Sequence, residues 1–227
     1  MSSDNGEHSL ENCSRDFASA DISRSGYPND NATTGTNLMS KLYMGNSRKW
    51  WKVDILTNAL SALNSPVTVK CVPETESGSS LVFYPEASVI VIKPWDFFTP
   101  FSFRRALARG LVYAFDSARA KVDYKNVDHV SCTSIRAYNI SGECDLWTKW
   151  LDYFGEDPLG KDMYSMKQRC IRTKVEEQMI IGSSFEGDAI RSSIDRVWER
   201  CFRDHWPFTA EPHMDTRFRD SPLRSGL

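Results

Sequence analysis

Ala106-Leu107-Ala108-Arg109-Gly110-Leu111-Val112-Tyr113-Ala114-Phe115-Asp116 is the stretch on which the reading of this chain turns. Leu107, Leu111 and Ala114 fall on one stripe at helical spacing, so the segment predicts a buried helix. It lies at the centre of 227 residues, with an Arg-Gly pair breaking its apolar run.

Outward from this segment, the pattern extends the central helix over residues 101–123. Before it, Trp50, Val53, Ile55, Leu56, Leu60 and Leu63 recur at helical intervals up to the stop Asn64-Ser65-Pro66. Residues 67–72 are a short β-prone run. Residues 81–84 and 88–92 flank Pro85-Glu86-Ala87 and read as a hairpin. Residues 94–100 form an aromatic loop with Trp95, Phe97 and Phe98. After the central helix, helical patterns return over 128–139, 143–154, 164–181 and 188–202. The order helix, strand, hairpin, central helix, helices predicts an α+β fold with a small sheet and a helical majority.

Composition narrows the function classes. At 41% hydrophobic the chain can bury one sizeable core, and its formal net charge of −2 gives no basic field for nucleic acid. No apolar run approaches the roughly 20 residues that span a bilayer, so any membrane association is expected to be peripheral. Residues 1–41 are rich in Ser, Asp, Asn and Gly and are expected to be a disordered polar tail, as is the loose segment 211–227. The first of these tails is too acidic for an amphipathic transit peptide and lacks the apolar core of a secretory signal. A folded domain is expected over 42–210. Of the six cysteines no two have CxxC spacing, which argues against a structural zinc site.

Short patterns beyond the central segment converge. Ala114-Phe115-Asp116 is followed by Arg119, Lys121-Val122-Asp123-Tyr124, Asn126, His129 and Cys132. Then come Ile135-Arg136-Ala137, Ser141-Gly142-Glu143-Cys144, Cys170-Ile171-Arg172 and Val197-Trp198-Glu199-Arg200-Cys201-Phe202, with Asp204 and Pro207-Phe208. In this order the series resembles the mitochondrial inner-membrane metallopeptidase family that processes the ATP synthase subunit 6 precursor, also described as Ku-binding-protein-like. The resemblance covers residues 50–208 and implies a minimal zincin fold.

In that family the central helix carries His-Glu-x-x-His. Two histidines four apart share one helix face and hold zinc, and the glutamate activates a bound water. The resemblance aligns Arg109, Gly110 and Tyr113 with those three positions. Arg offers no lone pair and adds a positive charge, Tyr ionises only near pH 10, and Gly has no base. No zinc cofactor and no catalytic residue are therefore expected. Asp116, Asp123, His129 and Glu143 are metal-ligand types, but helix caps or ion pairs with Arg119, Arg136 or Lys121 are the expected roles. Arg109 and Tyr113 either plug the former cleft or, for Arg109, reach solvent. His8, His205 and His213 read as tail or surface residues.

The resemblance also implies disulfides and an intermembrane-space location. Cys71, Cys132, Cys144, Cys170 and Cys201 match family cysteines. Ala118 and the cysteine-free residues 182–187 stand where two others belong, as if one bridge were lost. Two pairs among the five are expected, with connectivity open; free thiols are the alternative in a reducing compartment. The function implied is that of a catalytically inactive relative, an assembly factor or chaperone for the ATP synthase membrane sector or a similar mitochondrial complex. An active peptidase with unconventional ligands and a structural subunit of a large mitochondrial assembly are the alternatives. Trp95, Phe97, Phe98, Trp147 and Trp150 are expected in the core, with a protein-contact surface as the other reading.

Overall fold

The computed structural model describes residues 50–72, 79–97, 99–145 and 162–209. The chain divides after Ala114 into two compact units, and the central helix runs through the division. Both tails and the expected helix at 146–154, with Trp147 and Trp150, lie outside the described residues, as do Phe98 and the side chain of Trp95.

In the first unit, α1 (Trp51–Ala62) buries Val53, Ile55, Leu56 and Leu60 on one face. It ends where Asn64 takes a left-handed conformation (φ 52°) and the Ser65 amide donates back to the Leu60 carbonyl at 3.1 Å. Three strands follow: β1 (Thr68–Cys71), β2 (Leu81–Tyr84) and β3 (Val89–Ile92). The expected hairpin pairs β2 with β3 antiparallel, Leu81 opposite Ile92, and β1 lies parallel on the far edge of β3. Alternation along β3 puts Ile90 and Ile92 fully inside. A 3-10 turn at Pro94–Asp96 leads to α2 (Pro100–Arg119). Thr99 accepts from the Ser102 amide at 3.1 Å and Pro100 opens the helix, so its first turn is capped.

That helix is shorter than the pattern predicted, ending at Arg119 rather than residue 123. The Asp123 carboxylate accepts from the Lys125 amide at 2.9 Å, and the Asp123 carbonyl accepts from the Asn126 amide at 3.1 Å. This side-chain turn competes with helical bonding and starts the next connection.

The second unit is built on three helices. They are α3 (Val127–Ser141), α4 (Asp162–Gly182) and α5 (Gly187–Phe202), each in contact with the other two. Ile135, Tyr138, Ile171, Val175, Met179, Ile190, Ile194, Trp198 and Phe202 form their common core. Trp198, Cys201 and Phe202, spaced three and four apart, share the buried face of α5, and the Trp198 and Phe202 rings stack at 5.1 Å. Asn126 caps α3 by accepting from the Asp128 amide, and Gly142 ends it at φ 76°, a conformation that favours glycine. The α+β expectation holds: a three-stranded mixed sheet accompanies a helical majority.

Candidate functional site

The three central-helix positions lie in the first unit. Arg109 is half-buried and Tyr113 buried. Gly110 is packed against the sheet, where a Cβ would stand 3.1 Å from Ile90 Cγ2 and 3.1 Å from Leu81 Cδ1. Leu81 and Ile90 are themselves buried. A side chain at position 110 would thus start against aliphatic side chains that must give by a few tenths of an ångström. Among the described residues no three His, Cys, Asp or Glu side chains gather as a metal-ligand set. Arg109, Gly110 and Tyr113 do not fit a zinc ion.

One turn further along the same helix the second unit begins, and here the polar residues are densely partnered. The buried Asp116 carboxylate accepts from Arg119 Nε at 3.0 Å, from Thr133 Oγ1 at 2.6 Å and from Arg136 Nε at 2.9 Å. Arg136, 1% exposed, also donates to the Trp206 carbonyl at 2.6 Å and to both the carbonyl and carboxylate of Asp204. Arg119 Nη2 closes the ring on Asp204 at 2.5 Å. Two arginines and two aspartates thereby tie the end of α2, the middle of α3 and the segment after α5 together. Burial opposes the charge on Asp204, but the Arg119 hydrogen bond and the nearby Arg136 and Arg119 charges prevail and hold its carboxyl below the usual range.

A second link joins α3 to α5. Asp128 receives Arg196 through both nitrogens of the fork, Nη2 at 2.5 Å and Nε at 3.0 Å, and Ser193 Oγ at 2.7 Å. Those hydrogen bonds, Arg196 first, lower the Asp128 pKa. Asn139 Nδ2 donates to the Phe202 carbonyl at 2.8 Å and caps the end of α5. Between these links lies a cleft of about 470 Å³, lined by Asp116, Arg119, Lys121, His129, Arg136, Arg196 and Arg200 among others.

Two disulfides brace the unit. Cys132–Cys201 joins α3 to α5 with Cα atoms 5.3 Å apart, and Cys144–Cys170 joins the turn after α3 to α4 at 5.8 Å. Beside the second bridge, Lys167 Nζ pairs with Asp145 at 3.2 Å. Cys71 is buried at the end of β1, and no described cysteine is a free thiol.

The four candidate metal ligands are not brought together as a set. Asp116 is held by Arg119, Arg136 and Thr133, while Asp123 forms the turn after α2. His129, exposed, accepts the Asp123 amide on Nδ1 at 3.1 Å. Glu143 sits in the turn that follows Gly142. Asp116 and His129 both line the cleft, and Asp123 touches His129 through its backbone amide. Phe97 packs edge-on against Phe103 at 5.7 Å. Sequence reasoning missed Thr133, Asn139, Ser193 and Arg196. For Thr133 and Asn139 the signal was the polarity of α3, where Ser131, Thr133, Ser134, Arg136, Asn139 and Ser141 are all buried, which a helix tolerates only with partners for them.

Comparison with known proteins supplies the relationship. The chain is 32% identical over 117 residues to the human mitochondrial inner membrane protease ATP23 homolog, covering 51% of this chain and 45% of that protein. It is 32% identical to the Xenopus laevis homolog, over 50% of this chain and 47% of the other. The Meyerozyma guilliermondii mitochondrial inner membrane protease ATP23 is 32% identical over 56% and 50% of the two chains. The chain thus spans about half the length of the curated relatives it matches, and no solved structure matches it. Residues 43–209 match the Peptidase M76 family, and the chain belongs to that family.

Proposed function

We propose that this chain is a catalytically inactive member of the Peptidase M76 family. It works in mitochondria, at the inner membrane, as a non-proteolytic assembly factor or chaperone. The observation that carries the reading is Gly110, lodged on Leu81 and Ile90 at the position that the resemblance aligns with the family's catalytic glutamate, with Arg109 and Tyr113 at the two aligned ligand positions. A missing general base removes about 10²–10⁴-fold in rate by itself, and loss of two ligands removes the metal as well. The names of the relatives support the mitochondrial inner membrane as the place of action. Two disulfides favour an oxidising compartment and hence its intermembrane-space side. The membrane sector of ATP synthase, or a similar mitochondrial complex, is the client this reading assigns. None of the helices, among the described residues, is long and apolar enough to cross a membrane, so contact with the inner membrane is peripheral in this account.

The test is affinity capture of the full chain from mitochondria, paired with a cleavage assay on the recovered clients. The reading expects membrane-sector assembly intermediates that stay intact on incubation. Cleavage of a recovered client that a chelator stops would restore the active-peptidase reading. Recovery only as a stoichiometric part of a finished complex would favour a structural subunit.

A further inference from the structure

The cleft of about 470 Å³ is lined by residues of the second unit alone, and Arg109, Gly110 and Tyr113 are not among them. Its lining holds five Arg or Lys side chains against three Asp, in a chain whose net charge is −2. The three carboxylates are already engaged: Asp116 and Asp204 by Arg119 and Arg136, and Asp128 by Arg196. Lys121 and Arg200 remain, both exposed and without an ion pair among the described residues. Val122 and Val197 supply apolar wall beside them.

We propose that this cleft binds an acidic segment of a protein partner, with its Asp or Glu carboxylates meeting Lys121 and Arg200 and an apolar residue seated on Val122 and Val197. The walls are set in advance by the Cys132–Cys201 bridge and the two-pronged Arg196–Asp128 pair, so little ordering is required on binding. Its volume falls within the ordinary range for ligand sites, about 300–1,000 Å³. A peptide is favoured over an anionic membrane surface by the same geometry. Arg119 and Arg196 are tied to aspartates, leaving Lys121 and Arg200 as the cleft cations without an ion pair among the described residues, in a recess rather than a projecting basic face.

The experiment uses the full, disulfide-bonded chain and a fluorescein-labelled peptide of alternating glutamate and leucine. A lysine–leucine peptide and vesicles containing phosphatidylglycerol are run in parallel. Binding of the glutamate peptide that weakens with salt, and falls about tenfold or more in Lys121→Glu/Arg200→Glu, is the expected result. The double variant should keep the wild-type melting midpoint; if it does not, Lys121→Ala/Arg200→Ala takes its place with a smaller loss expected. Lys174→Glu, an exposed reversal on α4, should leave binding unchanged. Equal binding by wild type and both double variants, or equal affinity for the lysine peptide, would overturn the proposal. So would vesicle binding that depends on Lys121 and Arg200 without any peptide binding.

Discussion

Two neighbouring parts of one helix differ sharply in what they hold. Up to Ala114, α2 presents Arg109, Gly110 and Tyr113, where the resemblance implies metal chemistry, and Gly110 rests on aliphatic side chains of the sheet. From Phe115 onward the same helix delivers Asp116 and Arg119 into a fully partnered ionic network with Arg136 and Asp204. The comparison teaches that family resemblance can reside in the architecture around a site. In the second unit, most of the short patterns that carry the resemblance have structural duties. Asp116 and Arg136 form the network, Gly142 ends a helix, Cys144 and Cys201 make bridges, and Trp198 and Phe202 fill the core. None of these duties needs a metal.

The sharpest way to break the comparison is Arg136→Ala. It leaves Asp116 buried without its main cation, and a chemical-denaturation midpoint should report a loss of about 3–5 kcal/mol. A loss under about 1 kcal/mol would mean that the network is decorative. Replacing Cys132 and Cys201 together by Ser should cost about 4 kcal/mol in the chain-entropy account, given their separation of 69 residues. The check is the same midpoint, measured with the Cys144–Cys170 bridge intact.

On the other part of the helix, Gly110→Glu should destabilise by at least about 2 kcal/mol, because the carboxylate enters aliphatic packing. Gly110→Ala should cost less, since Leu81 Cδ1 and the Ile90 side chain need give only slightly. A glutamate tolerated at full stability would show that the sheet leaves room for a catalytic base.

The smallest effect is one of pH. The Asp128 and Asp204 carboxyls are depressed in the folded chain, so the unfolded chain binds protons more readily as pH falls. Their contribution is therefore complete above the ordinary carboxylate pKa, near 3.9, and is lost as pH drops through the lower folded values. A melting midpoint that is flat from pH 7 to about 5 and falls below about 4 is expected, with the fall shallower in Asp128→Asn. An unchanged acid limb in that variant would remove Asp128 from the account.

Periodicity carried much of this architecture. It located α1, the hairpin and α5 because apolar spacing and turn residues act locally in those segments. It overran the end of α2, where the Asp123 turn is made by one side chain and leaves no periodic trace. The parallel seat of β1 on β3 depends on long-range pairing and was not legible. Two cysteine pairs were anticipated through resemblance, but their connectivity is a property of three-dimensional packing. The Asp116–Arg136–Asp204 network joins positions 20 and 68 residues apart, which no window over the sequence brings together.

The central claim is that the catalytic centre of the family is absent from this chain, and metal content tests it most directly. The purified, full, disulfide-bonded protein is dialysed against zinc and then washed, and its zinc is measured per chain. The account predicts only trace, substoichiometric zinc. Close to one tightly held zinc per chain would contradict it and return Asp116, His129 and their neighbours to the status of ligands.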